Sequence, residues 1–304
     1  MPFEKLKGKL LQKQDCFTDI LGQDKVKKEV KSALIAARNI IIVGPPGIGK
    51  TTLAKNVSKM GLKNFIRIQG SPDLTVEDIL GDIDPVKALE YGPLSIEAFQ
   101  KGKIFKADKG ILFFDELNRC PEKLQNAMLQ VLEEKKATIG SYDVDFDIDF
   151  IFIGTMNPED TSTEKLSDVL LDRFDVIYMG YPEKEGIEEK IIRLRGKKLC
   201  KVPSDMLSLM VHFIRILRDS IDLEKHPSVR ASIGLYDRSQ ANALLAGRDK
   251  VGLNDLKEAV VSVLSHRIKL KPSIKYLQSP VEYIEKQFSK MDIEGLLNER
   301  SDAG

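Results

Sequence analysis

The 304-residue chain reads as an α/β domain, a mostly parallel sheet with helices on both faces, followed by a small all-helical domain. Three observations carry that reading. Short apolar runs alternate with helix-periodic stretches as far as Pro182, the pattern of strands joined by helical crossovers. One of these runs ends directly in a glycine-rich loop that leads into a helix. Beyond Pro182 the strand pattern stops and helical periodicity takes over.

The elements follow in order. Val26, Val30 and Leu34 recur every four residues, which makes 24–37 a helix. Residues 39–43 are an apolar run ending at glycine, a buried strand. A helix follows over 51–60, with Gly61 at the position of a C-terminal cap. Residues 65–69 form a second strand and 111–114 a third, apolar enough to be covered on both faces. Pro121 sits in the first turn of a helix that Leu124, Ala127, Met128, Val131 and Leu132 line on one side. Two more strands are expected at 150–154 and 175–179. After Pro182, helices are expected over 184–197, 204–219, 229–246 and 254–268, then an amphipathic stretch near 280–289 and a polar tail. The division expected is 1–182 for the αβα domain, 183–270 for the helical domain and 271–304 for a C-terminal helical extension and tail.

Composition narrows the classes. The chain is 42% hydrophobic and 31% charged with a formal charge of +1, so nothing biases it toward nucleic acid or an anionic membrane. Cys16, Cys120 and Cys200 are scattered and odd in number, which suggests neither a disulfide framework nor a zinc site. The opening residues lack the apolar core of a signal peptide, and apolar runs such as 40–43 are too short to span a bilayer. A cytoplasmic protein is expected. His212, His226 and His266 have no ligand spacing and are read as structural. Asp143, Asp145, Asp147 and Asp149 alternate like a calcium loop, but an EF-hand needs glycine and glutamate where Ile148 and Gly154 stand. With Val144, Phe146, Ile148 and Phe150 as the alternate set, an amphipathic β-ribbon is the better reading. The Glu/Lys-rich 183–198 is a solvated helix face.

Two motifs carry chemistry. Gly44-Pro45-Pro46-Gly47-Ile48-Gly49-Lys50-Thr51, followed by Thr52, fits the phosphate-cradling G-x-x-x-x-G-K-[ST] loop. Its glycines let backbone N–H groups wrap a phosphate, and the helix after it points its positive end at the same anion. Lys50 is placed to reach the β- and γ-phosphates of ATP, and the Thr51 hydroxyl to hold Mg²⁺. Ile111-Leu112-Phe113-Phe114-Asp115-Glu116 is a buried strand ending in two acids at the ligand crevice of an open sheet. Asp115 is the second metal-holding candidate, through water, and Glu116 the general base for the attacking water.

From these residues the chain resembles the AAA+ superfamily over roughly 15–270, and within it the helix-2-insert branch that holds MoxR-type ATPases and the ATPase subunit of magnesium chelatase. Asp115-Glu116-Leu117-Asn118-Arg119-Cys120-Pro121 looks like the MoxR-type extension of the Walker B strand, Thr155-Met156-Asn157-Pro158 like sensor 1, and Leu170-Leu171-Asp172-Arg173-Phe174-Asp175 like the arginine-finger segment. Gly81-Asp82-Ile83-Asp84, Lys87-Ala88-Leu89 and the stretch from Gly102 are closer to the chelatase subunit. The resemblance implies that Asn157 orients the lytic water and that Arg173 reaches a neighbouring subunit's γ-phosphate, with Arg119 a second interface candidate. His226-Pro227-Ser228-Val229-Arg230 resembles the sensor 2 segment, which implies a phosphate contact for Arg230, in cis or from a neighbour. Phe17-Thr18-Asp19-Ile20-Leu21-Gly22-Gln23 resembles the segment beside adenine, where Ile20, Leu21 or Gly22 could touch the base or simply pack in the core.

The function so implied is ATP hydrolysis in a homo-oligomeric ring, a hexamer, that remodels or loads a protein partner, with a von Willebrand factor A domain protein as the partner type the resemblance suggests. The alternatives are a nucleic-acid motor, the ATPase subunit of a metal chelatase, or a nucleotide switch with negligible turnover. Neutral charge and the lack of a basic stripe with interleaved aromatics weigh against nucleic acid. Intact Glu116, Asn157 and Arg173 weigh against the switch.

Overall fold

Asn39–Val43 (β1) is a run of three isoleucines and a valine, side chains that suit a pleated, covered surface. In the computed structural model, which describes residues 2–12, 15–60, 64–93, 95–138, 145–158 and 166–291, four of its five residues are buried. Four more strands join it: Phe65–Gln69 (β2), Ile111–Asp115 (β3), Ile151–Met156 (β4) and Phe174–Tyr178 (β5). All pairings are parallel, in the order β2-β3-β4-β1-β5. The register lines up one edge of the sheet. Val43 pairs with Met156 and Tyr178, and Gln69 pairs with Asp115, so the loops after β1, β2, β3 and β4 leave from the same side.

The expected strands are found with small shifts. β3 runs one residue further, β4 covers Ile151–Met156 rather than 150–154, and β5 covers Phe174–Tyr178 rather than 175–179. Pro121 is the cap residue of helix Glu122–Glu134 and not part of its first turn, since its ψ of 147° is extended. That offset lies within the usual uncertainty of a helix end. The expected ribbon exists: Asp145–Asp147 pairs antiparallel with Lys136–Thr138. Gly61, Asp143, Val144 and the tail beyond Met291 lie outside the described residues.

The chain divides into two units, Met1–Pro45 with Gly49–Met179, and Gly180–Gly304 together with the loop tip Pro46–Ile48. In the second unit the longer helices are Glu185–Arg195, Ser204–Asp219, Val229–Leu245, Leu253–Leu264 and Pro280–Lys290. Ser204–Asp219 is apolar nearly all round and is the central helix, with Leu207, Met210, Phe213 and Ile214 fully buried. Tyr283, Ile284 and Phe288 of the last helix belong to the same core. One expectation is corrected here. The chain beyond Pro182 is not strand-free, because Leu223–Lys225 pairs antiparallel with Lys269–Leu270. Two- and three-residue strands are too short to show alternation.

One ion pair in this unit is deeply buried. Arg218 donates to Glu188 through two bonds of 2.6 and 2.7 Å, and their side chains are 5% and 0% exposed. Ser232 Oγ donates to the same carboxylate at 2.6 Å, Arg218 Nε donates to the Pro227 carbonyl at 2.8 Å, and the guanidinium lies over the Tyr181 ring. Removing one partner of such a pair strands a buried charge. Glu188→Ala is therefore expected to cost about 3–5 kcal/mol. Urea unfolding checks this; a wild-type midpoint would show the pair to be dispensable.

Candidate functional site

The site grows from the end of β1. Gly44 N–H donates to the Met156 carbonyl at 3.1 Å, which ties the start of the loop to the end of β4. Gly49, at φ +108, precedes helix Lys50–Ser58, a turn that favours glycine. Lys50 is buried, and its Nζ donates to the carbonyls of Gly44 at 2.5 Å and Pro45 at 2.8 Å. The ammonium thus lies inside the curve of its own loop. Thr51 Oγ1 donates to Asp115 Oδ2 at 3.2 Å. Thr52 lies in the same first turn and its carbonyl accepts from Asn56 Nδ2. Pro46, Gly47 and Ile48 form the loop tip and belong to the second unit. Within that unit Gly47 has φ +77, and a Cβ there would stand 3.0 Å from Ser228 Oγ and 3.1 Å from Arg230 Cγ. Arg230 is the second residue of its helix and is exposed.

β3 delivers the two acids. Asp115 is buried, and its Oδ1 accepts from Thr155 Oγ1 at 2.6 Å. Thr155 Oγ1 in turn accepts from the Glu116 N–H at 2.9 Å, so one hydroxyl on β4 fixes both acids. Glu116 has φ 59° and ψ 52°, a left-handed conformation uncommon for a residue with a side chain. Such strain persists where the surroundings over-determine it. Here they do: Gly70 N–H donates to the Asp115 carbonyl at 2.7 Å, and a Cβ on Gly70 would overlap the Glu116 carbonyl oxygen. The twist re-aims the Glu116 carboxylate, which accepts from Gln69 Nε2 at 2.9 Å and lies 3.3 Å from Arg119 Nη1. Asn157 follows β4 directly, beside Gly44, and its carbonyl accepts from Asn118 Nδ2 at 3.2 Å.

Lys50, Thr51, Asp115, Glu116 and Asn157 are thus brought to one edge of the sheet, with Arg119 among them. Arg173 is not. It precedes β5, whose first residue pairs with Asn39 at the start of β1, whereas the phosphate loop follows Val43 at the other end. Four strand steps of about 3.3 Å separate the two ends, about 13 Å. The Arg173 guanidinium is held there by Glu133 at 2.9 Å and Asp172 at 3.4 Å. The hydrogen bond it donates to the Glu133 carboxylate also raises its pKa above the ordinary value. Ahead of the first sheet strand, Gly22 and Gln23 are both left-handed, at φ 66° and 59°. Ile20 is buried, and its Cδ1 lies 3.5 Å from where a Cβ on Gly49 would stand, which puts this segment beside the loop.

Sequence reasoning did not single out Arg67 and Gln69, and it named Asn118 and Thr155 within motifs without a role. Arg67 and Gln69 were legible in part, as two polar residues at alternate positions of an apolar strand. Their target was not, because the neighbour of β2 is fixed only by the sheet order. Asn118 Oδ1 is buried without a hydrogen-bond partner, beside Asn157. Cys120 is buried and its thiol is pushed up to about 11, which leaves it unreactive, as a structural cysteine should be.

Comparison with known proteins fits this geometry. Residues 39–174 match the AAA domain of the dynein-related subfamily, and 218–286 match an AAA lid domain. The chaperone MoxR1 of Mycobacterium tuberculosis is 27% identical, over 83% of this chain and 73% of its own length. A chloroplastic magnesium-chelatase subunit ChlI of Glycine max is 24% identical, over 84% of this chain and 75% of its own. Among solved structures, the Holliday-junction branch-migration motor RuvB of Thermotoga maritima aligns with a TM-score of 0.53 at 20% identity, covering 81% of this chain and 70% of that one, a likeness of fold alone. With a phosphate loop, two acids at the end of a buried strand, and a match to an AAA lid domain further along, the chain belongs to the AAA+ ATPases as a MoxR-like member, an ATP-hydrolysing P-loop enzyme.

Proposed function

We propose that this ATPase works as a ring of identical subunits, a hexamer by family resemblance, and uses hydrolysis to remodel or load a protein partner. The observation that carries the ring is the position of Arg173 at the far edge of the sheet from its own phosphate loop. A charged arginine that serves the phosphates from there has to serve a neighbour's. The protein partner is inferred from the chaperone and chelatase-subunit relatives, and one bearing a von Willebrand factor A domain is the expected type. The ATPase subunit of a metal chelatase is the second reading, supported by the chelatase-subunit relatives and by the ribbon in which the chelatase-like segment Gly81–Ile83 pairs with Phe99–Lys101. Free cysteines at 16, 120 and 200 agree with a cytoplasmic site of action, and no helix among the described residues is long and apolar enough to cross a membrane.

The roles at the site follow from the residues. Thr51 Oγ1 and Asp115 Oδ2 are hard oxygen donors 3.2 Å apart, suited to Mg²⁺, with Thr51 as direct ligand and Asp115 acting through water. Bound there, Mg²⁺ would neutralise charge on the β- and γ-phosphates. Lys50 turns from its own loop carbonyls to those phosphates. Glu116 takes the proton of the attacking water, which Asn157 orients. Arg173 stabilises charge on the γ-phosphate across the subunit boundary. Arg230 adds a phosphate contact, and Ile20 to Gly22 border the base.

Shared phosphate contacts make assembly depend on nucleotide. Sedimentation of the wild type is expected to show a small species without nucleotide and a ring with ATP. A monomer at all concentrations with ATP, together with full activity, would overturn the ring.

A further inference from the structure

Asp115 has more partners than a metal ligand requires. Its Oδ1 accepts from Thr155, but its Oδ2 is shared between Thr51 Oγ1 at 3.2 Å and Arg67 Nη2 at 2.7 Å. Arg67 and Gln69 stand two residues apart on β2, so the pleat turns both to one face of the strand. The same Arg67 nitrogen donates to Gln69 Oε1 at 2.8 Å, and Gln69 Nε2 donates to Glu116 Oε2 at 2.9 Å. An unbroken path therefore runs from Thr51 through Asp115, Arg67 and Gln69 to Glu116.

The consequence is electrostatic. Under the reading above, Oδ2 is the oxygen beside the metal position. A guanidinium on that oxygen occupies a lone pair and sets a positive charge next to a divalent one. The contact is short and charge-assisted, and the Asp115 side chain is only 12% exposed, so water screens it weakly. A purely structural ion pair between neighbouring strands would make no difference between the two states of the metal position.

We propose that Arg67 is a positioning residue that sets the metal affinity of this site: its guanidinium competes for Asp115 Oδ2 with the metal-bound water that this oxygen would hold. This rests on the assignment of Thr51 and Asp115 to the metal.

The test uses the full chain with fluorescent ADP, so that no turnover is needed. Nucleotide binding is titrated with Mg²⁺ for wild type, Arg67→Gln and Arg67→Lys, and each protein is melted with ADP in EDTA and with ADP and Mg²⁺. Arg67→Gln is expected to lower the Mg²⁺ midpoint about tenfold, equivalent to about 1.4 kcal/mol. Arg67→Lys keeps the charge but offers one compact donor group in place of the planar fork, and its midpoint should fall between. Arg67→Gln should melt below wild type in EDTA and close to it with Mg²⁺. An unchanged or raised midpoint, or an equal loss of melting temperature in both conditions, overturns the proposal. If Arg67→Gln does not fold, the Arg67→Lys midpoint decides alone: lower than wild type supports the competition, equal to it ends it. A wild type whose nucleotide binding ignores Mg²⁺ would instead remove the metal assignment, and this inference with it.

Discussion

Glu116→Gln is expected to bind ATP as well as wild type yet hydrolyse it at least roughly a hundredfold more slowly, the low end of what a positioned general base supplies. The substitution is nearly isosteric, so the left-handed turn at 116 and its N–H bond to Thr155 should survive. The Gln69 and Arg119 contacts need only an oxygen acceptor, which the amide keeps. What is lost is the ability to accept a proton. Lys50→Ala gives a different result, loss of nucleotide binding itself, because it removes the cation that answers the phosphate charge. A fluorescent-nucleotide titration beside a steady-state phosphate-release assay separates the two. Normal turnover by Glu116→Gln would reassign the base.

Arg173→Ala is the second large effect: nucleotide binding kept, most hydrolysis lost, because the arginine is useful where transition-state charge develops. Among the described residues Arg173 pairs with Glu133 and Asp172, both on the surface, so its removal should leave stability nearly unchanged. The decisive experiment mixes two inactive proteins, Arg173→Ala and Glu116→Gln. In mixed rings some interfaces join an intact Glu116 on one side to an intact Arg173 on the other, and activity should return. If Arg173 served its own subunit, no subunit in the mixture would have both residues and mixing would restore nothing. Absence of recovery, with mixed rings verified by mass, would move attention to Arg119. That residue already lies 3.3 Å from Glu116 in the same chain.

The sequence determined the parts of this protein whose signal is local. The apolar runs at 40–43 and 111–114 read as strands covered on both faces, since each leaves no polar side for water. The phosphate-loop motif was legible because its glycines, lysine and threonine fall within eight consecutive residues. The helices of the second unit were legible because periodicity over four or more turns is hard to imitate, as Ser204–Asp219 illustrates. The pairing of Leu223–Lys225 with Lys269–Leu270 was not, because it joins two very short segments some 45 residues apart, neither of which carries a pattern.

What only the tertiary structure decided is adjacency. Sheet order sets β2 beside β3, and that alone brings Arg67 to Asp115 and Gln69 to Glu116. Parallel register sets Arg173 at the opposite end of the strands from the phosphate loop, which turns a motif-based expectation into a geometric argument for a neighbour. Backbone conformation at Glu116 depends on Gly70 and Thr155, residues 46 and 39 positions away that no local pattern links to it. A one-dimensional pattern reports which groups a segment must bury. It does not report which other segment will bury them, because that choice is made by packing among several covered surfaces of similar composition.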